Sequence, residues 1–541
     1  MSESRKLLVL ALDAASPPLL RRWSADGTLP NLARAMATGL VADTRAPEGM
    51  EVGATWPTFY TGLNPAGHGM CWSDRVLPGT YRQQELSMFD VDHLTPFWRT
   101  LSSAGKRVVV LDVPFTPPAT GINGIQVVEW GIHDGIHDFH TVPKPLAAHI
   151  RAKYGSHPPP PECDTLRTDA AGYRELRDKF VKGIELRGAM TRELLADGNW
   201  DFAIQNFNEI HCAGHMLWHY HDTSHPNHDA EAFARDGDLL REVYMATDRE
   251  VGLLLDQVGS EVTVVITSLH GMEHSAGSSL LLPHILERLG VYAPAPGSHR
   301  SSMSDRPAGA AVAARRPAGI KGMLKTVWHL VPRPIREAQY NLRQWINTHW
   351  LERGAPIDID PTRSKAFQMG FGAGSTFSGI RLNLKAREVG GIVSRGDEAD
   401  RCIEEITNGL MEMVNPETQR PLVRRVVRTS ALFQGPRLED LPDLMVEWEY
   451  DPGRGSTSVG NAAGGIWRGW SERVGTVEHG NGSGRTGAHR VEGLLVAIGP
   501  TIAQGKLDRF IEGVDFAPTI LANFGIDLEC DGTVIPELVA G

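Results

Sequence analysis

Continuous apolar runs alternate with amphipathic stretches along most of the chain. The run Leu7–Leu12 is apolar throughout, and the runs at 107–112 and 262–268 are rich in β-branched residues. Such runs are typical of strands that are buried on both faces of a parallel sheet. The stretches at 173–197 and 236–259 carry apolar residues on one face at helical spacing. We therefore predict an α/β fold, with a central, mostly parallel sheet and helices on both faces.

The same patterns predict further strands and helices elsewhere in the chain. Further strands are predicted at 125–129, 201–207, 377–384 and 493–500, and further helices within 17–38 and at 516–524.

The pattern changes after residue 275. Residues 293–319 are rich in Pro, Gly, Ala, Ser and Arg, which predicts a mobile loop. Residues 320–351 are basic and helical in pattern, but Pro332 and Pro334 interrupt the amphipathic run. This segment fits a helical cap packed on the body better than a helix on a membrane surface. We predict one domain from residues 1–275 and 365–541, with residues 276–364 as an inserted cap region.

Composition and charge narrow the class of protein. The 541 residues suffice for a large core, and the apolar and charged fractions, 41% and 22%, are those of a globular protein. The net charge of −11 excludes a general nucleic-acid binder, although a bound metal could still attract an anionic substrate. Five cysteines, widely spaced and without a CxxC pair, disfavour disulfides and favour a cytoplasmic location. The first apolar run is too short for a signal peptide, and no run is long enough to span a membrane.

Six histidines fall within residues 211–228, directly after a predicted strand. Neutral imidazole is the commonest metal ligand, and His211 and His215 have the spacing of one helix face. A surface stretch that is merely rich in His and Trp is the alternative. Asp13 and His270 also follow predicted strands, and open α/β sheets bind ligands at the carboxyl ends of their strands. This shared placement favours a metal site, with the four later histidines mostly solvated or beside the ligands.

Short motifs are spread, in order, over nearly the whole chain. They occupy residues 10–16, 29–32, 56–69, 209–215, 268–272, 489–500 and 514–521. The most specific are Thr61-Gly…His68-Gly and Asp515…Pro-Thr-Ile-Leu521. Together these motifs resemble the type I phosphodiesterase/nucleotide pyrophosphatase family of the alkaline phosphatase superfamily.

The resemblance implies a fold, a cofactor and a reaction. The fold is α/β, with a two-metal site, usually of zinc, at the carboxyl edge of a mostly parallel sheet. The reaction is in-line displacement at phosphorus by a Thr or Ser hydroxyl. The metals would stabilise the attacking and leaving oxygens and lower the pKa of the attacking hydroxyl.

Three histidines match or replace ligands of the first metal site in this family. His215 matches the histidine of an Asp-x-x-x-His pair, His211 takes the place of the aspartate, and His489 matches the late histidine that completes the site. A three-histidine set suits zinc and leaves one coordination position open. Alternatively, His211 donates to another ligand and the site is weaker.

The second metal site departs further from the family pattern. Asp13 matches the aspartate that ends the first strand, with a helix N-cap as its alternative role. Where the family has Asp-His, this chain has Leu269-His270, and leucine cannot coordinate a metal. Asp13 and His270 need help from a nearby group such as Glu51, Glu209 or His274. The expectation is therefore one or two divalent ions, zinc by ligand type, with manganese as the alternative.

The nucleophile also departs from the pattern. Counting back from Thr61-Gly62 by the family spacing reaches Val52, which has no hydroxyl. Thr55 and Thr58 are the hydroxyls nearby, and we predict Thr55 because it lies at the expected start of a helix, where backbone N–H groups could hold an oxyanion. A helix cap is the alternative role of Thr55, and a water activated by the metal is the alternative nucleophile.

Substrate contacts are predicted at Trp56, His133 and Arg485. Trp56 follows the predicted nucleophile, His133 follows a strand, and Arg485 lies in a glycine-rich loop before His489, from which it could reach a phosphate. A structural pair of His133 with Asp134, and a plain linker at 480–487, are the alternatives.

These observations predict a metal-dependent hydrolase of phosphate esters, most similar to phosphodiesterases and nucleotide pyrophosphatases. Its substrate would be a small phosphate ester or a nucleotide-like molecule. A sulfatase, phosphomonoesterase or phosphotransferase on the same fold is one alternative. The other, motivated by Leu269 and Val52, is a catalytically reduced member of the superfamily that binds a ligand or partner.

Overall fold

The structure is a computed structural model of the chain. It describes residues 5–50, 52–131, 136–159, 169–274, 278–297, 354–370, 376–450, 466–480 and 485–539. The predicted helical cap at 320–351 and the predicted contact residue His133 lie outside the described residues, as does most of the predicted loop at 293–319.

The elements follow one another in the order expected of an α/β chain. The strands are β1 Leu7–Leu12, β2 Leu40–Arg45, β3 Asp74–Val76, β4 Arg82–Glu85, β5 Val108–Leu111, β6 Gly124–Val128, β7 His140–Val142, β8 Phe202–Phe207, β9 Thr263–Ser268, β10 Gly271–His274, β11 Ala355–Pro356, β12 Ala366–Met369, β13 Phe377–Leu382, β14 Val423–Arg428, β15 Leu444–Trp448, β16 Ile466–Ser471, β17 Gly475–Gly480, β18 Gly487–Arg490, β19 Glu492–Ile498 and β20 Gly505–Glu512.

The helices lie between these strands. They are α1 Pro17–Ala25, α2 Pro30–Thr38, α3 Val52–Thr61, α4 Pro65–His68, α5 Met88–Val91, α6 Phe97–Ser103, α7 Leu146–Tyr154, α8 Ala170–Leu195, α9 Glu209–His221, α10 Ala230–Asp236, α11 Leu239–Val258, α12 Leu282–Arg288, α13 Asp397–Met411, α14 Thr429–Leu432 and α15 Phe516–Ala522. Short 3-10 turns lie at Ser278–Leu281, Leu438–Asp440, Gly513–Asp515 and Pro536–Leu538.

Nine of the described strands form the central sheet, in the order β20-β2-β19-β9-β1-β8-β5-β6-β7. Its middle is parallel, because β1 pairs in parallel with both β8 and β9, and β5 pairs in parallel with both β8 and β6. The strands β19 and β7 run antiparallel to their neighbours. The predicted fold class, a mostly parallel central sheet, is confirmed.

Both faces of this sheet are covered, as the continuous apolar strands predict. Along β1, Leu8 and Leu10 pack into one core with α8, α9 and α11, whereas Leu7 and Val9 pack into a second core with α3, α6 and α15. Removing one such side chain from water stabilises the fold by roughly 1.5–3 kcal/mol as an upper estimate. Alternate residues of a strand point to opposite faces, so a strand buried on both sides needs no polar positions.

A second hydrophobic unit forms around the antiparallel sheet β12-β13-β15-β14. Its core contains Leu282 and Ile285 of α12, Ile406 of α13 and Trp448 of β15. This core joins residues on both sides of position 364, and the boundaries predicted for the insertion stay predictions.

The ends of three parallel strands determine the position of the candidate metal site. Leu12, Phe207 and Ser268 end β1, β8 and β9, which are neighbours in one parallel set. Asp13, α9 and His270 follow them directly and therefore lie at the same edge of the sheet. Among the described helices, none is both long enough and apolar enough to cross a membrane.

Candidate metal centre

Helix α9 carries the first two histidines of the site. It begins at Glu209, straight after β8, and it is buried from that residue through Tyr220. His211 and His215 are four residues apart, so their side chains project from the same face of the helix. The two ring centroids are 4.8 Å apart.

The strand β18 carries His489, the third histidine. It pairs antiparallel with β10, and Met272 lies opposite His489. His270 immediately precedes β10, so this two-stranded ribbon presents both His270 and His489 to α9. The ring centroids of His270 and His489 are 5.0 Å apart.

Two glycines allow the ribbon to approach α9 closely. A Cβ atom at Gly487 would collide with the carbonyl oxygen of Gly214, and a Cβ atom at Gly214 would lie 2.9 Å from Cγ of Met272. The close approach lets His215 donate its Nδ1–H to the carbonyl oxygen of Gly487 at 2.8 Å. The backbone N–H of Thr486 donates in turn to the carbonyl oxygen of His215 at 2.6 Å.

Asp13 reaches the site from the end of β1. The next residue, Ala14, has φ +52°, a left-handed conformation that residues other than glycine rarely adopt. Asp13 is 2% exposed, and its Oδ2 accepts the Nδ1–H of His211 at 3.1 Å. A carboxylate that accepts the Nδ1–H of a histidine leaves the lone pair on Nε2, where a metal can bind.

Three Nε2 atoms therefore converge on one point. The Nε2 atom of His211 lies 2.9 Å from that of His215 and 2.9 Å from that of His489. His211, His215 and His489 have ligand atoms within 4.8 Å of one another, and all three are buried. Because the lone pairs of His211 and His215 face each other, a shared cation would replace repulsion by attraction. The three-imidazole donor set therefore fits a divalent metal ion.

A second group shares His211 with the first. Asp13, His211 and His270 also have ligand atoms within 4.8 Å of one another and are buried. Leu269, which stands where the family has an aspartate, is 3% exposed and packs in the core with α3. The second group therefore receives no carboxylate from residue 269.

The surroundings of His489 favour its neutral form. Burial lowers its pKa well below the ordinary value, and the neighbouring His215, His211 and His270 lower it further. Arg485 adds to the same effect, which places its positive charge near His489. The neutral imidazole is the form that binds metals.

The structure places the other predicted residues as follows. Thr55 is 1% exposed in the first half of α3, a helix that packs against α6 and α15. Trp56 is 1% exposed and its ring packs edge-on against Phe59, which are the surroundings of a core residue. Arg485 is half-buried, two residues before β18. The roles predicted for Thr55, Trp56, Arg485 and His133 stay predictions.

Thr58, the second candidate hydroxyl, contacts His68, but this histidine cannot act as a base toward it. His68 accepts the backbone N–H of Met70 at Nδ1, at 3.0 Å, so its Nε2 carries the proton and donates to Oγ1 of Thr58 at 2.9 Å. Burial lowers the pKa of His68 to about 3. His68 therefore cannot accept a proton from Thr58 in this arrangement, and the pair holds α3 against α4.

The four later histidines are predicted to be mostly solvated or beside the ligands, and two of them are buried. His219 and His225 are buried, and their rings lie 6.2 Å apart. His219 lies 3.4 Å from Oγ1 of Thr486, next to the contact between α9 and β18. His219 is buried because α9 is enclosed from Glu209 through Tyr220.

Sequence reasoning missed Arg490, a buried arginine that fixes β18. Its guanidinium donates to the carbonyl oxygens of His489 at 2.9 Å and His274 at 2.8 Å, and to Oγ1 of Thr376 at 2.8 Å. It lies over the ring of Tyr450, 3.9 Å from the ring centroid. In the sequence, only its position next to His489 could have pointed to Arg490. An arginine within an otherwise apolar strand is buried and therefore needs hydrogen-bond partners.

Comparisons with solved structures and with curated sequences gave the following similarities. The chain is similar to human ectonucleotide pyrophosphatase/phosphodiesterase 5 at 11% identity, over 98% of this chain and 97% of that one, with a TM-score of 0.48. It is similar to phosphonoacetate hydrolase from Sinorhizobium meliloti 1021, in complex with phosphonoformate, at 13% identity, over 95% and 94% of the two chains, with a TM-score of 0.49. No curated protein sequence matches the chain.

The family is established by sequence. The family model described as type I phosphodiesterase / nucleotide pyrophosphatase matches residues 7–321, which is more than half of the 541 residues. This range includes Asp13, His211, His215 and His270. The chain therefore belongs to the type I phosphodiesterase/nucleotide pyrophosphatase family and is a phosphoric ester hydrolase.

Proposed function

We propose that this protein is a phosphodiesterase that depends on one divalent cation, zinc by ligand type, held by His211, His215 and His489. The observation that carries the proposal is the convergence of three buried Nε2 atoms, with His211 at 2.9 Å from each of the other two. Nitrogen ligands of this number and kind suit zinc, and manganese is the alternative ion.

The hydrogen bonds that His211 and His215 make through Nδ1 support the same assignment of ligands. The carbonyl oxygen of Gly487 and the carboxylate of Asp13 each accept an Nδ1–H, from His215 and from His211 respectively. Each acceptor fixes the ring orientation and directs the Nε2 lone pair inward. In this proposal Asp13 orients His211, and Leu269 leaves the neighbouring group short of a second cation's ligands.

The bound cation would polarise a phosphoryl oxygen and increase the acidity of the attacking hydroxyl. The proposed nucleophile is Oγ1 of Thr55, the fourth residue of α3. The free backbone N–H groups at the start of a helix can hold an oxyanion. Oγ1 would form a bond to phosphorus while the bond to the leaving alcohol breaks, and its proton would pass to solvent. Water would then cleave the threonine ester and release a phosphate monoester.

Arg485 is proposed to hold the substrate phosphate. Its charge is near enough to lower the pKa of His489, and it is half-buried. A guanidinium binds two phosphate oxygens at once, which favours a substrate with a free anionic oxygen pair. We propose a small phosphodiester or nucleotide-like molecule as the substrate.

The test compares ester classes on one preparation. We expect hydrolysis of bis(p-nitrophenyl) phosphate to exceed that of p-nitrophenyl phosphate and p-nitrophenyl sulfate. His215→Ala should abolish it, whereas His221→Ala, a matched change on the same helix where the side chain pairs with Asp238, should leave it nearly unchanged. Faster cleavage of the monoester or sulfate would replace this proposal by a phosphomonoesterase or sulfatase. No cleavage of any ester by the metal-loaded protein would favour a reduced, ligand-binding role.

The cysteine usage supports a cytoplasmic location, which we also propose. Five widely spaced cysteines without a CxxC pair suit a reducing compartment. Recovery of the native protein in an oxidising compartment on cell fractionation would contradict it.

A further inference from the structure

A buried arginine outside the candidate metal centre connects the elements that support it. Arg187 lies in α8 and is 0% exposed. Its Nη1 donates to Oδ2 of Asp112 at 2.5 Å, and its Nε donates to Oε1 and Oε2 of Glu209 at 2.9 and 3.1 Å. Both carboxylates are also fully buried, so one guanidinium joins two carboxylates away from water.

The remaining donor of Arg187 reaches two further positions. Its Nη2 donates to the carbonyl oxygen of Gly131 at 3.1 Å and to Oδ1 of Asn208 at 2.7 Å. Asp112 in turn accepts the backbone N–H groups of Trp130 at 2.9 Å and Gly131 at 3.2 Å. A single side chain therefore fixes the end of β5, the segment after β6, and the junction between β8 and α9.

The junction between β8 and α9 matters for the metal centre. Asn208 precedes α9, Glu209 is its first residue, and His211 follows two residues later. Each residue of a helix turns the following side chains by about 100° around the axis. Fixing Asn208 and Glu209 therefore fixes the rotation of α9, and with it the direction in which His211 and His215 point.

The packing of α8 makes room for this arrangement. Gly183, one turn before Arg187, faces the same network, and a Cβ atom there would lie 2.9 Å from Nε2 of His157 and 3.1 Å from Oε1 of Glu209. A glycine inside a helix is less stable than an alanine at the same position. His157 also donates its Nε2–H to Oε1 of Glu209 at 2.8 Å. Gly183 therefore lowers the local stability of α8 but leaves space for the side chains of His157 and Glu209.

Stability alone does not explain a buried charge network of this kind. Replacing buried ion pairs by well-packed apolar groups is often neutral or stabilising. What the network provides is a single geometry, because the planar guanidinium can satisfy both carboxylates, the amide of Asn208 and the carbonyl of Gly131 in only one arrangement.

We propose that Arg187 is a positioning residue, which sets the rotation of α9 through Glu209 and Asn208 so that His211 and His215 direct their Nε2 atoms at the cation. The inference rests on the proposed metal site. It assigns no contact between Arg187 and substrate or cation.

The test uses variants that separate positioning from folding. The double variant Arg187→Met/Glu209→Gln removes the pair with Glu209 and keeps the net charge, while Asp112 keeps the backbone N–H groups of Trp130 and Gly131 as its donors. Arg187→Lys keeps the charge without the planar fork. Arg192→Met is the matched control, since Arg192 lies on the same helix and pairs with a different carboxylate, Glu250. The measurements are the Co²⁺ dissociation constant against a chromophoric chelator, the visible spectrum of the Co²⁺ protein, and thermal unfolding of the metal-free protein.

The expected result is selective for metal binding. Both Arg187 variants should remain folded, bind Co²⁺ about 10–100-fold more weakly and show a changed visible spectrum, as expected for lost outer-shell support. Arg192→Met should keep the dissociation constant within about twofold.

Three outcomes would overturn the inference. The first is an unchanged dissociation constant and spectrum in Arg187→Lys and in the double variant, whatever their stability. The second is unfolding of both while Arg192→Met folds, which would assign Arg187 to folding. The third is a wild-type protein that binds no Co²⁺, which would remove the proposed metal site itself and is recognised before any variant is compared.

Discussion

His215 donates its Nδ1–H to the carbonyl oxygen of Gly487 at 2.8 Å, and this hydrogen bond joins the two elements that carry the three histidines. It fixes the tautomer of His215 and sets the distance between α9 and β18. His489 lies two residues beyond Gly487 on that strand. The geometry of the candidate metal centre therefore depends on close backbone packing between elements that are 272 residues apart in sequence.

Gly487→Ala should damage the metal centre by separating these elements. The new Cβ atom would collide with the carbonyl oxygen of Gly214, so β18 must move away from α9. We expect zinc to bind about 10–100-fold more weakly, measured by chelator competition, because His489 moves with the strand. Gly505→Ala on the exposed strand β20 is the control, since its Cβ atom would meet only Cδ1 of Leu40, at 3.9 Å. Equal zinc affinity in the two variants would count against this role of Gly487.

Asp13→Asn tests whether Asp13 orients His211 or binds the metal. The amide oxygen can still accept the Nδ1–H that lies 3.1 Å from Oδ2 of Asp13, but it lacks the negative charge. We expect the zinc content of the protein to stay at one per chain, with affinity about tenfold weaker. Metal analysis after dialysis gives the content. Complete loss of zinc from Asp13→Asn, with the fold intact by circular dichroism, would make Asp13 a ligand.

Leu269→Asp should complete the second group. It places a carboxylate directly before His270, a member of the group Asp13, His211 and His270, at the position where the family has an aspartate. We expect the metal content to rise from one to two per chain and the metal-free variant to be less stable, because an unpaired carboxylate is buried there. Leu269→Asn introduces an amide of the same size as the carboxylate, and its metal content should remain at one per chain. A metal content of one per chain in both variants would show that a carboxylate at position 269 is not enough to complete the second group.

The acid stability of the protein should depend on His68. Its pKa is lowered to about 3 in the fold from an ordinary value of 6.5, because burial disfavours the charged form. The unfolded chain therefore binds the proton first as pH falls, and stability that is fully present above pH 6.5 is lost between 6.5 and about 3. The loss approaches about 1.4 kcal/mol per pH unit from this group.

His68→Asn checks this dependence. Its amide oxygen can replace Nδ1 as the acceptor of the Met70 backbone N–H. Denaturant unfolding across the acid range should show a shallower loss of stability in the variant than in the wild type. Parallel curves for the two proteins would contradict the burial of a neutral imidazole at this position.

The sequence predicted the sheet well because its signals are local. β1 has the predicted bounds, and the predicted helix at 173–197 is α8, Ala170–Leu195. Continuous apolar runs follow from burial on both faces, so each strand carries its own signal. The placement of Asp13 and His270 at one edge follows from the parallel direction of β1 and β9.

The hydrogen-bond network of Arg187 could not be predicted from local sequence signals. Arg187 is 75 residues from Asp112 and 22 from Glu209, and no periodicity links the three. An arginine on a helix is ordinarily solvated, and only the packing of α8 against α9 shows that this one is buried. The burial of His219 likewise depends on the neighbours of α9 and not on its own sequence.

The most direct test of the central claim is a zinc titration of the metal-free protein, followed by the rate of bis(p-nitrophenyl) phosphate hydrolysis. A single cation held by His211, His215 and His489 predicts no activity without metal and a rate that rises linearly to a break at one zinc per chain. Full activity of the exhaustively chelated protein, or a break at two zinc ions per chain, would contradict the account.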